Sequence, residues 1–212
     1  MKNKVNMHAF ESKYRLKGYK HIAGLDEVGR GPWAGPLVVA AVILPNDYRN
    51  EKIIDSKQLS EKKRNELYVE ITKVAVAYSI VFITPDEVDT LNPKQASIVG
   101  MKKTIDELKI RPDVCLIDAE KLNVSYETQS IIKGDEKSIS IAAASILAKV
   151  QRDRYMESMD KRWPHFHFAK HKGYGTLEHL KALRKYGPIK SLHRFSYKPV
   201  KKVFEATSIR KV

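Results

Sequence analysis

The stretch from residue 22 to residue 36 reads Ile-Ala-Gly-Leu-Asp-Glu-Val-Gly-Arg-Gly-Pro-Trp-Ala-Gly-Pro. An apolar run ends in two adjacent carboxylates, Asp26 and Glu27, and a second apolar run begins at Leu37, so the pattern predicts strand, glycine-rich turn, strand. Carboxylates at a strand end suit hard cations such as Mg²⁺, and Arg30 offers a two-pronged hydrogen bond to a phosphate. The combination favours a metal-assisted enzyme acting on phosphodiesters, with an ordinary polar hairpin connection as the alternative.

The charge of the chain indicates a polyanionic partner. The 212 residues carry a formal net charge of +14, and the segment from Lys161 to Val212 contains 14 Lys and Arg against 2 acidic residues. We expect one catalytic domain over residues 1–186 and a basic C-terminal extension over residues 187–212. A merely solvated basic tail is the alternative. Against it stand interleaved aromatic side chains that can stack on bases or sugars, namely Trp163, Phe166, Phe168, Tyr174, Tyr186, Phe195 and Tyr197.

The single cysteine and the N-terminal sequence indicate the compartment. Cys115 excludes an internal disulfide and lies in an apolar run, where a buried structural thiol is expected rather than a nucleophile. The stretch after Met1-Lys2-Asn3-Lys4 lacks the apolar core of a signal peptide, and no later segment has the roughly 20 apolar residues of a membrane span. We therefore expect an unprocessed cytoplasmic protein.

Periodicity and breaker residues predict a mixed α/β protein. Three early strands are followed by helix, strand and helix, which indicates one mixed sheet covered by helices. The predicted strands are 21–26, 37–44, 74–83, 114–118 and a short one near 129–133; the predicted helices lie within 6–18 and over 61–73, 92 to about 108, 139 to about 162 and 176 to about 186.

Asp118 ends a second apolar run. Residues 114–117 are continuously apolar, so their strand is expected in the middle of the sheet. Ligands of open α/β sheets bind beyond the carboxyl ends of the strands, so Asp118 would lie beside Asp26 and Glu27 if the two strands are neighbours. An aspartate in a surface turn is the alternative.

Asp153 lies on the longest predicted helix. At 100° per residue it falls about 20° from Ile146 on the helical wheel, alongside the apolar stripe. An inward-leaning carboxylate needs a cation, either a metal ion or Lys149 one turn earlier. Its rivals for a fourth ligand position fall in polar connecting segments, where solvated charges are expected: Asp135, Glu136 and Glu120.

Four carboxylates suffice for two divalent ions about 4 Å apart, one activating a water and the other stabilising the departing oxygen of an in-line displacement. Phosphodiester hydrolysis is therefore the expected reaction. No competing catalytic motif is present: the chain lacks Gly-x-Ser-x-Gly, and Gly29-Arg30-Gly31 is not followed by the Gly-Lys-Ser/Thr of a P-loop.

Residues 171–176 read His-Lys-Gly-Tyr-Gly-Thr. Gly173 and Gly175 free the backbone around Tyr174, so that its ring and hydroxyl can reach a sugar. Packing of Tyr174 on the core is the alternative. A zinc site is a weaker alternative for this region because no cysteine lies nearby; its histidines would be His165, His167, His171 and His179.

Taken together, these segments resemble ribonuclease HII, the type 2 bacterial ribonuclease H, from about residue 21 to residue 197. The matching stretches are Gly24-Leu25-Asp26-Glu27-Val28-Gly29-Arg30-Gly31-Pro32, Asp55-Ser56-Lys57-Gln58-Leu59, Leu116-Ile117-Asp118-Ala119, Lys133-Gly134-Asp135, Ser140-Ile141-Ala142-Ala143-Ala144-Ser145-Ile146-Leu147-Ala148-Lys149-Val150-Gln151-Arg152-Asp153 and His171-Lys172-Gly173-Tyr174-Gly175-Thr176.

The resemblance implies an RNase H-like fold, with a mixed five-stranded sheet flanked by helices and a helical basic C-terminal segment. It implies endonucleolytic cutting of the RNA strand of RNA·DNA hybrids and 5′ to single ribonucleotides in duplex DNA, leaving 3′-hydroxyl and 5′-phosphate ends. The implied cofactors are two divalent ions, Mg²⁺ or Mn²⁺, and the implied partners are these nucleic acids.

The resemblance also assigns roles to residues. It carries catalysis and metal binding to Asp26, Glu27, Asp118 and Asp153. Recognition of the 2′-hydroxyl and adjoining phosphate at the RNA-to-DNA junction falls to Gly29, Arg30, Gly31 and Tyr174, and further phosphate contacts fall to Lys57 and Lys149.

Two departures from the family pattern are visible. Trp33 replaces a smaller aliphatic residue, which changes the rim of the groove without touching an assigned role. About 20 residues before His21 leave no room for the N-terminal substrate-binding domain of ribonuclease HIII, which favours type HII.

Two other functions compete. One is a resolvase or transposase core that uses the same metals on DNA, against which the glycine loop of Tyr174 argues. The other is a non-catalytic nucleic-acid-binding module, in which carboxylates would only repel phosphate. We expect a monomer. The sequence leaves open whether a replication or repair protein docks on the C-terminal segment, since Lys201-Lys202-Val203-Phe204 is too weak a signal for a clamp-binding peptide.

Overall fold

The computed structural model describes residues 6–209. The first four residues, which bear on the absence of a signal peptide, lie outside this range. The strands are β1 (Ile22–Val28), β2 (Leu37–Ile43), β3 (Ala77–Ile83), β4 (Val114–Asp118) and β5 (Glu127–Ile131); the helices are α1 (Ala9–Arg15), α2 (Glu61–Val74), α3 (Pro85–Asp106), α4 (Ile139–Arg162), α5 (Phe168–His171), α6 (Leu177–Tyr186) and α7 (Lys198–Ile209).

The predicted mixed five-stranded sheet with flanking helices is confirmed. The strand order is β3-β2-β1-β4-β5, with β1 antiparallel to β2 and parallel to β4, and β4 parallel to β5. All seven residues of β2 are buried, whereas β3 alternates between buried and exposed residues as an edge strand does. The continuous apolar runs therefore occupy the middle of the sheet.

The chain forms two compact units. The first comprises residues 6–28, 38–81 and 98–150, and the second comprises residues 29–37, 82–97 and 151–209. The core of the first unit packs α4 and α2 against the apolar strand β2, and a smaller cluster joins β1, β4 and β5 to α1. The second unit has its own core around Phe166, Phe168 and Leu183. The predicted boundary at residue 186 stays a prediction.

Gly24 brings the start of α4 close to β1 in the first unit. A Cβ at this position would overlap the carbonyl group of Ser140 and the amide nitrogen of Ile141, both main-chain groups that no rotamer change can move. Only glycine allows this approach. The alanines at 142–144, all buried, keep the same stretch of the helix thin.

The helix predicted to start at Asn92 and Pro93 is present, but a further helical segment precedes it. Asn92 interrupts α3 with φ 64°, and its side chain accepts hydrogen bonds from the amides of Lys94 and Gln95 at 3.0 and 3.1 Å. The earlier segment begins with a capping box in which Thr84 and Glu87 bond to each other's amides. Thr-Pro-Asp-Glu at 84–87 was the sequence signal for it.

Three further expectations concern the C-terminal segment, the cysteine and membrane-spanning helices. Helix α7 confirms the predicted helical C-terminal segment, so the helix at 177–186 is not the final one. Cys115 is fully buried, and burial raises the pKa of its thiol to about 12, as expected for a structural thiol. Among the helices of the described residues, none has both the length and the apolar character needed to span a membrane.

Candidate active site

Strands β1 and β4 deliver two of the predicted carboxylates to one end of the sheet. They are parallel neighbours with Leu25 opposite Ile117, so Asp26 and Asp118 follow at the same carboxyl end. This confirms the expected adjacency of the two strands. Glu27, the next residue of β1, is half-buried.

Asp26 is a buried carboxylate in an acidic environment. It is 5% exposed and accepts hydrogen bonds from the Ser145 hydroxyl and from the amide of Glu27, the latter at 2.8 Å. Burial is the largest influence and, together with the charges of Asp118 and Asp135, raises its pKa to about 7 against the effect of these hydrogen bonds. Burial and the neighbouring acidic groups therefore both disfavour the charged form of Asp26.

Asp118 is held by the turn that follows β5. Its Oδ1 accepts a hydrogen bond of 2.7 Å from the amide of Gly134, and the side chain is partly buried. A Cβ at Gly134 would lie 2.5 Å from Cδ1 of Ile141, so this turn packs closely against α4. Asp118 is therefore fixed by tertiary contacts, which a free surface turn would lack.

Asp135 was expected to be solvated, and this is wrong. It is 5% exposed, and its Oδ2 lies 3.4 Å from Nζ of Lys57. Burial raises its pKa most, Lys57 opposes the shift, and the charge of Asp118 adds to it. The turn at Gly134 folds Asp135 inward, which its polar sequence neighbours did not indicate. Glu120, also expected to be solvated, is buried as well.

Ser145 and Ser56 complete the surroundings of Asp26, and sequence reasoning assigned neither a role. Their hydroxyls lie 2.9 Å apart, and Ser145 also bonds Asp26. Both residues lie inside stretches that match the family, and this match was the available signal for a role.

The two lysines assigned to phosphate contacts differ in exposure. The Lys57 side chain is 77% exposed, and although burial lowers its pKa, the carboxylates of Asp135 and Asp55 raise it by more. Lys57 is therefore a charged and accessible group beside the acidic residues. Lys149, on α4, is half-buried.

The acidic residues suit a divalent cation chemically. Between residues 6 and 209, no three His, Cys, Asp or Glu side chains are already arranged to hold an ion. Mg²⁺ takes oxygen donors, keeps several waters and commonly uses one or two carboxylates plus substrate phosphates. The raised pKa of Asp26 marks a buried carboxylate whose charge a cation would restore, so the donors present in the first unit fit such an ion.

The Gly-Arg-Gly loop belongs to the second unit and is held by its main chain. Gly29 has φ +106°, a conformation that favours glycine. The carbonyl of Arg30 accepts hydrogen bonds from Arg194 at 3.0 Å and from the Tyr197 hydroxyl. The Arg30 side chain donates from Nε to the Ser97 hydroxyl at 2.8 Å. Gly31 is exposed, so its backbone is open to a ligand.

The loop at 29–36 and the loop bearing Tyr174 are joined within the second unit. The amides of Trp33 and Ala34 donate to the carbonyl of Gly173 at 2.9 and 3.3 Å. Tyr174 is 43% exposed, which excludes the alternative that it packs in the core. A Cβ on Gly31 would lie 3.9 Å from the Tyr174 ring, so the predicted recognition residues of the two loops are neighbours.

Two fully buried arginines reinforce this junction, and sequence reasoning missed both. Arg152 donates to the carbonyls of Pro36, Ala34 and Lys172 at 3.0, 3.1 and 2.9 Å. Burial lowers its pKa to about 10, so it stays charged at neutral pH. Arg194 makes two bonds to the carbonyl of Gly35, at 3.1 and 2.8 Å.

Trp33 packs against the loop that bears Tyr174. Its indole occupies the space that a Cβ of Gly175 would need, and its ring lies 5.4 Å from that of His179. Trp33, which was predicted to change the rim of the groove, is thus also a packing partner of the Tyr174 loop.

Asp153 is 5% exposed, which confirms that it leans inward from α4. It belongs to the second unit, together with the Gly-Arg-Gly loop and Tyr174, whereas Asp26, Glu27 and Asp118 belong to the first. Its role as the fourth metal ligand stays a prediction.

Three buried histidines of the second unit are engaged in hydrogen bonds, and no group of three His, Cys, Asp or Glu side chains among the described residues is arranged to hold a metal ion. His171 contacts the carbonyl of Phe166 at 2.7 Å, and His179 contacts the carbonyl of Tyr174 at 2.9 Å and Nε2 of His193 at 3.1 Å. Burial lowers the pKa of His179 to about 4 and, together with the neighbouring His179, that of His193 to about 3. These rings are neutral at neutral pH.

We expect His193 to make folding acid-sensitive. Its folded pKa of about 3 lies below the ordinary 6.5, so the unfolded chain binds the extra proton and stability falls as pH falls below 6.5. Between pH 7.5 and 5 the loss is about 2 kcal/mol. Asp26, with a raised pKa, acts in the opposite direction, so the effect is measured as a difference.

The measurement is urea unfolding of wild type and His193→Leu at pH 7.5 and pH 5. The stability advantage of the wild type should shrink by about 2 kcal/mol at the lower pH. His165→Asn, at an exposed position, is the control and should track the wild type. An unchanged difference between wild type and His193→Leu would show that His193 is not held neutral.

Comparison with known proteins identifies the family. The family model described as Ribonuclease HII matches residues 23–200. Ribonuclease HII of Halalkalibacterium halodurans is 50% identical over 194 residues, which are 92% of this chain and 73% of that protein. The expected assignment to type HII is confirmed.

Solved structures share the fold. Ribonuclease HII of Archaeoglobus fulgidus, solved in a complex with PCNA, has a TM-score of 0.71 and 27% identity, covering 84% of this chain and 95% of that chain. Bst-RNase HIII, solved in complex with Mn²⁺, has a TM-score of 0.65 and 17% identity, covering 91% of this chain and 71% of that chain.

The match to the family model covers most of the chain, and the half-identical relative extends over nearly all of it. The chain therefore belongs to the ribonuclease HII family, and it is a ribonuclease H, a divalent-metal-dependent endonuclease that hydrolyses the RNA strand of RNA·DNA hybrids.

Proposed function

We propose that this ribonuclease H also cuts 5′ to single ribonucleotides embedded in duplex DNA, leaving 3′-hydroxyl and 5′-phosphate ends. The observation that carries the proposal is the junction of the two loops in the second unit. There an exposed glycine backbone at Gly31 and the half-exposed Tyr174 are neighbours. A 2′-hydroxyl both donates and accepts hydrogen bonds, so a pair of backbone and phenol groups is suited to reading one such group.

Recognition of one ribonucleotide requires that these groups be held in fixed positions. The carbonyl of Arg30 is fixed by hydrogen bonds from Arg194 and Tyr197. The loop at 29–36 is also hydrogen-bonded to Gly173, next to Tyr174. In the proposed arrangement the Tyr174 hydroxyl bonds the 2′-hydroxyl, and Gly29, Arg30 and Gly31 contact the adjoining phosphate. A deoxyribonucleotide would leave the Tyr174 hydroxyl without that bond.

The proposed metal ligands are Asp26, Glu27, Asp118 and Asp153. Two divalent ions, Mg²⁺ or Mn²⁺, would supply activation of the attacking water and stabilisation of the departing oxygen. The buried, acid-surrounded Asp26 supports this choice, and so does the Mn²⁺ bound by Bst-RNase HIII. Ser145 and the Gly134 amide would orient Asp26 and Asp118 toward the ions.

Charged side chains around the carboxylates would position the DNA strands. Lys57 presents an exposed ammonium beside Asp135, and Lys149 is the second proposed phosphate contact. The basic segment that includes α7 would add affinity that falls as salt rises. We propose that the protein acts as a monomer in the cytoplasm. The PCNA complex of the Archaeoglobus fulgidus relative supports a replication partner.

The test is cleavage of end-labelled duplex DNA containing one ribonucleotide, beside an all-DNA duplex and a long RNA·DNA hybrid, with Mg²⁺, Mn²⁺ or EDTA. We expect one metal-dependent cut 5′ to the ribonucleotide and an intact all-DNA duplex. Cleavage of the hybrid alone would contradict the proposal. Cleavage of the all-DNA duplex would favour the resolvase or transposase alternative.

Tyr174→Phe should separate recognition from chemistry. The change removes one hydroxyl and leaves the ring in place, so we expect kcat on the single-ribonucleotide duplex to fall about tenfold or more. KM should change little because phosphate contacts dominate binding. Steady-state kinetics provide the measurement, with Tyr186→Phe as a control at another half-exposed tyrosine. Equal kcat for Tyr174→Phe and wild type would remove Tyr174 from the sensor.

A further inference from the structure

Tyr174 lies between two glycines, and its amide donates a local hydrogen bond of 2.8 Å to the carbonyl of His171. It stands between Gly173, which has φ +84°, and Gly175, and its side chain is 43% exposed. Glycines on both sides allow many backbone conformations, and a half-exposed ring gains little from packing. A sensor that must place a hydroxyl accurately therefore needs hydrogen bonds that fix the backbone of this residue.

Two buried histidines supply such bonds, and a third, His193, bonds one of them. His171 Nδ1 accepts the amide hydrogen of Gly173 at 3.2 Å, and His179 contacts the carbonyl of Tyr174 at 2.9 Å. The rings of His171 and His179 stack with centroids 4.5 Å apart and an angle of 13° between their planes. The backbone on both sides of the tyrosine is thus held by imidazole groups.

The hydrogen-bond partners fix which nitrogen of each ring carries the proton. The amide of Ile189 can only donate, so Nδ1 of His193 accepts and its Nε2 carries the hydrogen. That hydrogen is donated to Nε2 of His179, 3.1 Å away. His179 must then carry its hydrogen on Nδ1, and this nitrogen donates to the carbonyl oxygen of Tyr174.

The same assignment of donors and acceptors follows when the chain of hydrogen bonds is traced from its other end. Starting from the Tyr174 carbonyl, which can only accept, His179 must donate from Nδ1 and accept at Nε2. His193 must therefore donate from Nε2, which leaves its Nδ1 for the Ile189 amide. Both rings are completely buried, so no water competes for these positions.

We propose that the relay from Ile189 through His193 and His179 to the Tyr174 carbonyl sets the position of the Tyr174 hydroxyl. His179 and His193 are accordingly positioning residues for ribonucleotide recognition. The proposal rests on the proposed role of Tyr174. The carbonyl also accepts from the Thr176 amide at 2.9 Å, so loss of the relay should misplace the loop rather than unfold it.

The first experiment compares two replacements of His179. His179→Asn keeps an N–H donor near the former Nδ1, whereas His179→Leu fills similar space with no donor. We expect His179→Leu to lower kcat on the single-ribonucleotide duplex at least about tenfold with KM nearly unchanged. His179→Asn should restore most of this loss, and the exposed control His165→Asn should equal the wild type.

The second experiment tests whether His179 acts through Tyr174. In a double-mutant cycle with Tyr174→Phe, His179→Leu should have almost no further effect, because the hydroxyl that it positions is already gone. Additive losses would overturn the inference while leaving the proposed function intact. If the wild type fails to cut the single-ribonucleotide duplex, the proposed function fails, and the inference fails with it.

A third measurement does not depend on any variant folding. Nitrogen-15 NMR of the wild-type protein at neutral pH should show His179 protonated on Nδ1 and His193 protonated on Nε2. This pairing of opposite tautomers is expected only if the relay is intact. The reverse assignment for either ring would overturn the proposal.

Discussion

Asp118→Asn should abolish cleavage of every substrate while leaving the fold and nucleic-acid binding in place. The Asn Oδ1 can still accept the hydrogen bond from Gly134, so the turn after β5 is retained. The change removes a charged ligand proposed for the divalent ions, and we expect at least about a thousandfold loss of kcat, equivalent to several kcal/mol of transition-state stabilisation.

Two measurements accompany the cleavage assay. Filter or gel-shift binding of the hybrid in EDTA should be similar for wild type and Asp118→Asn. Added Mn²⁺ should raise the unfolding temperature of the wild type more than that of the variant, because an ion that binds the folded state stabilises it. Asp106→Asn, at an exposed helix end, is the matched control. Full activity of Asp118→Asn would remove the metal assignment.

Gly24→Ala is expected to destabilise the first unit strongly. The added Cβ would overlap main-chain atoms of Ser140 and Ile141, so β1 and α4 must separate. Overpacking of this kind costs about 3 kcal/mol or more. For a chain of this size that corresponds to a fall of about 6 to 12 °C in the unfolding temperature.

Thermal unfolding of metal-free protein provides the measurement. Gly31→Ala is the control, since its Cβ would meet only the Tyr174 ring at 3.9 Å, and it should shift the unfolding temperature little. Equal unfolding temperatures for Gly24→Ala and wild type would show that α4 can withdraw from β1 without cost. Because Ser145 on α4 bonds Asp26, the variant should also lose activity.

The strand ends of the site could be predicted because the signal is local. The apolar run before Asp118 indicated a buried strand, and the parallel pairing of β1 with β4 then brought Asp118 beside Asp26. The inward lean of Asp153 followed from helical periodicity in the same way. In each case a short window of sequence determined which way the side chain faces.

Asp135 and Arg152 could not be predicted in this way. Asp135 stands in a polar turn that looks solvated, and it is buried because Gly134 bonds to Asp118, sixteen residues away along the chain. Arg152 follows the apolar part of α4 and would be expected at the surface, but carbonyls more than a hundred residues distant surround it. Partners that come from elsewhere in the chain leave no trace in local periodicity.

The two buried arginines have a consequence for how the second unit tolerates sequence change. Arg152 and Arg194 donate hydrogen bonds to main-chain carbonyls at positions 30, 34, 35, 36 and 172. A main-chain carbonyl is present whatever side chain a position carries. The main-chain framework of the two loops therefore does not depend on most of the side chains that they display. The displayed side chains can therefore diversify toward new nucleic-acid geometries while the loop frame is inherited unchanged.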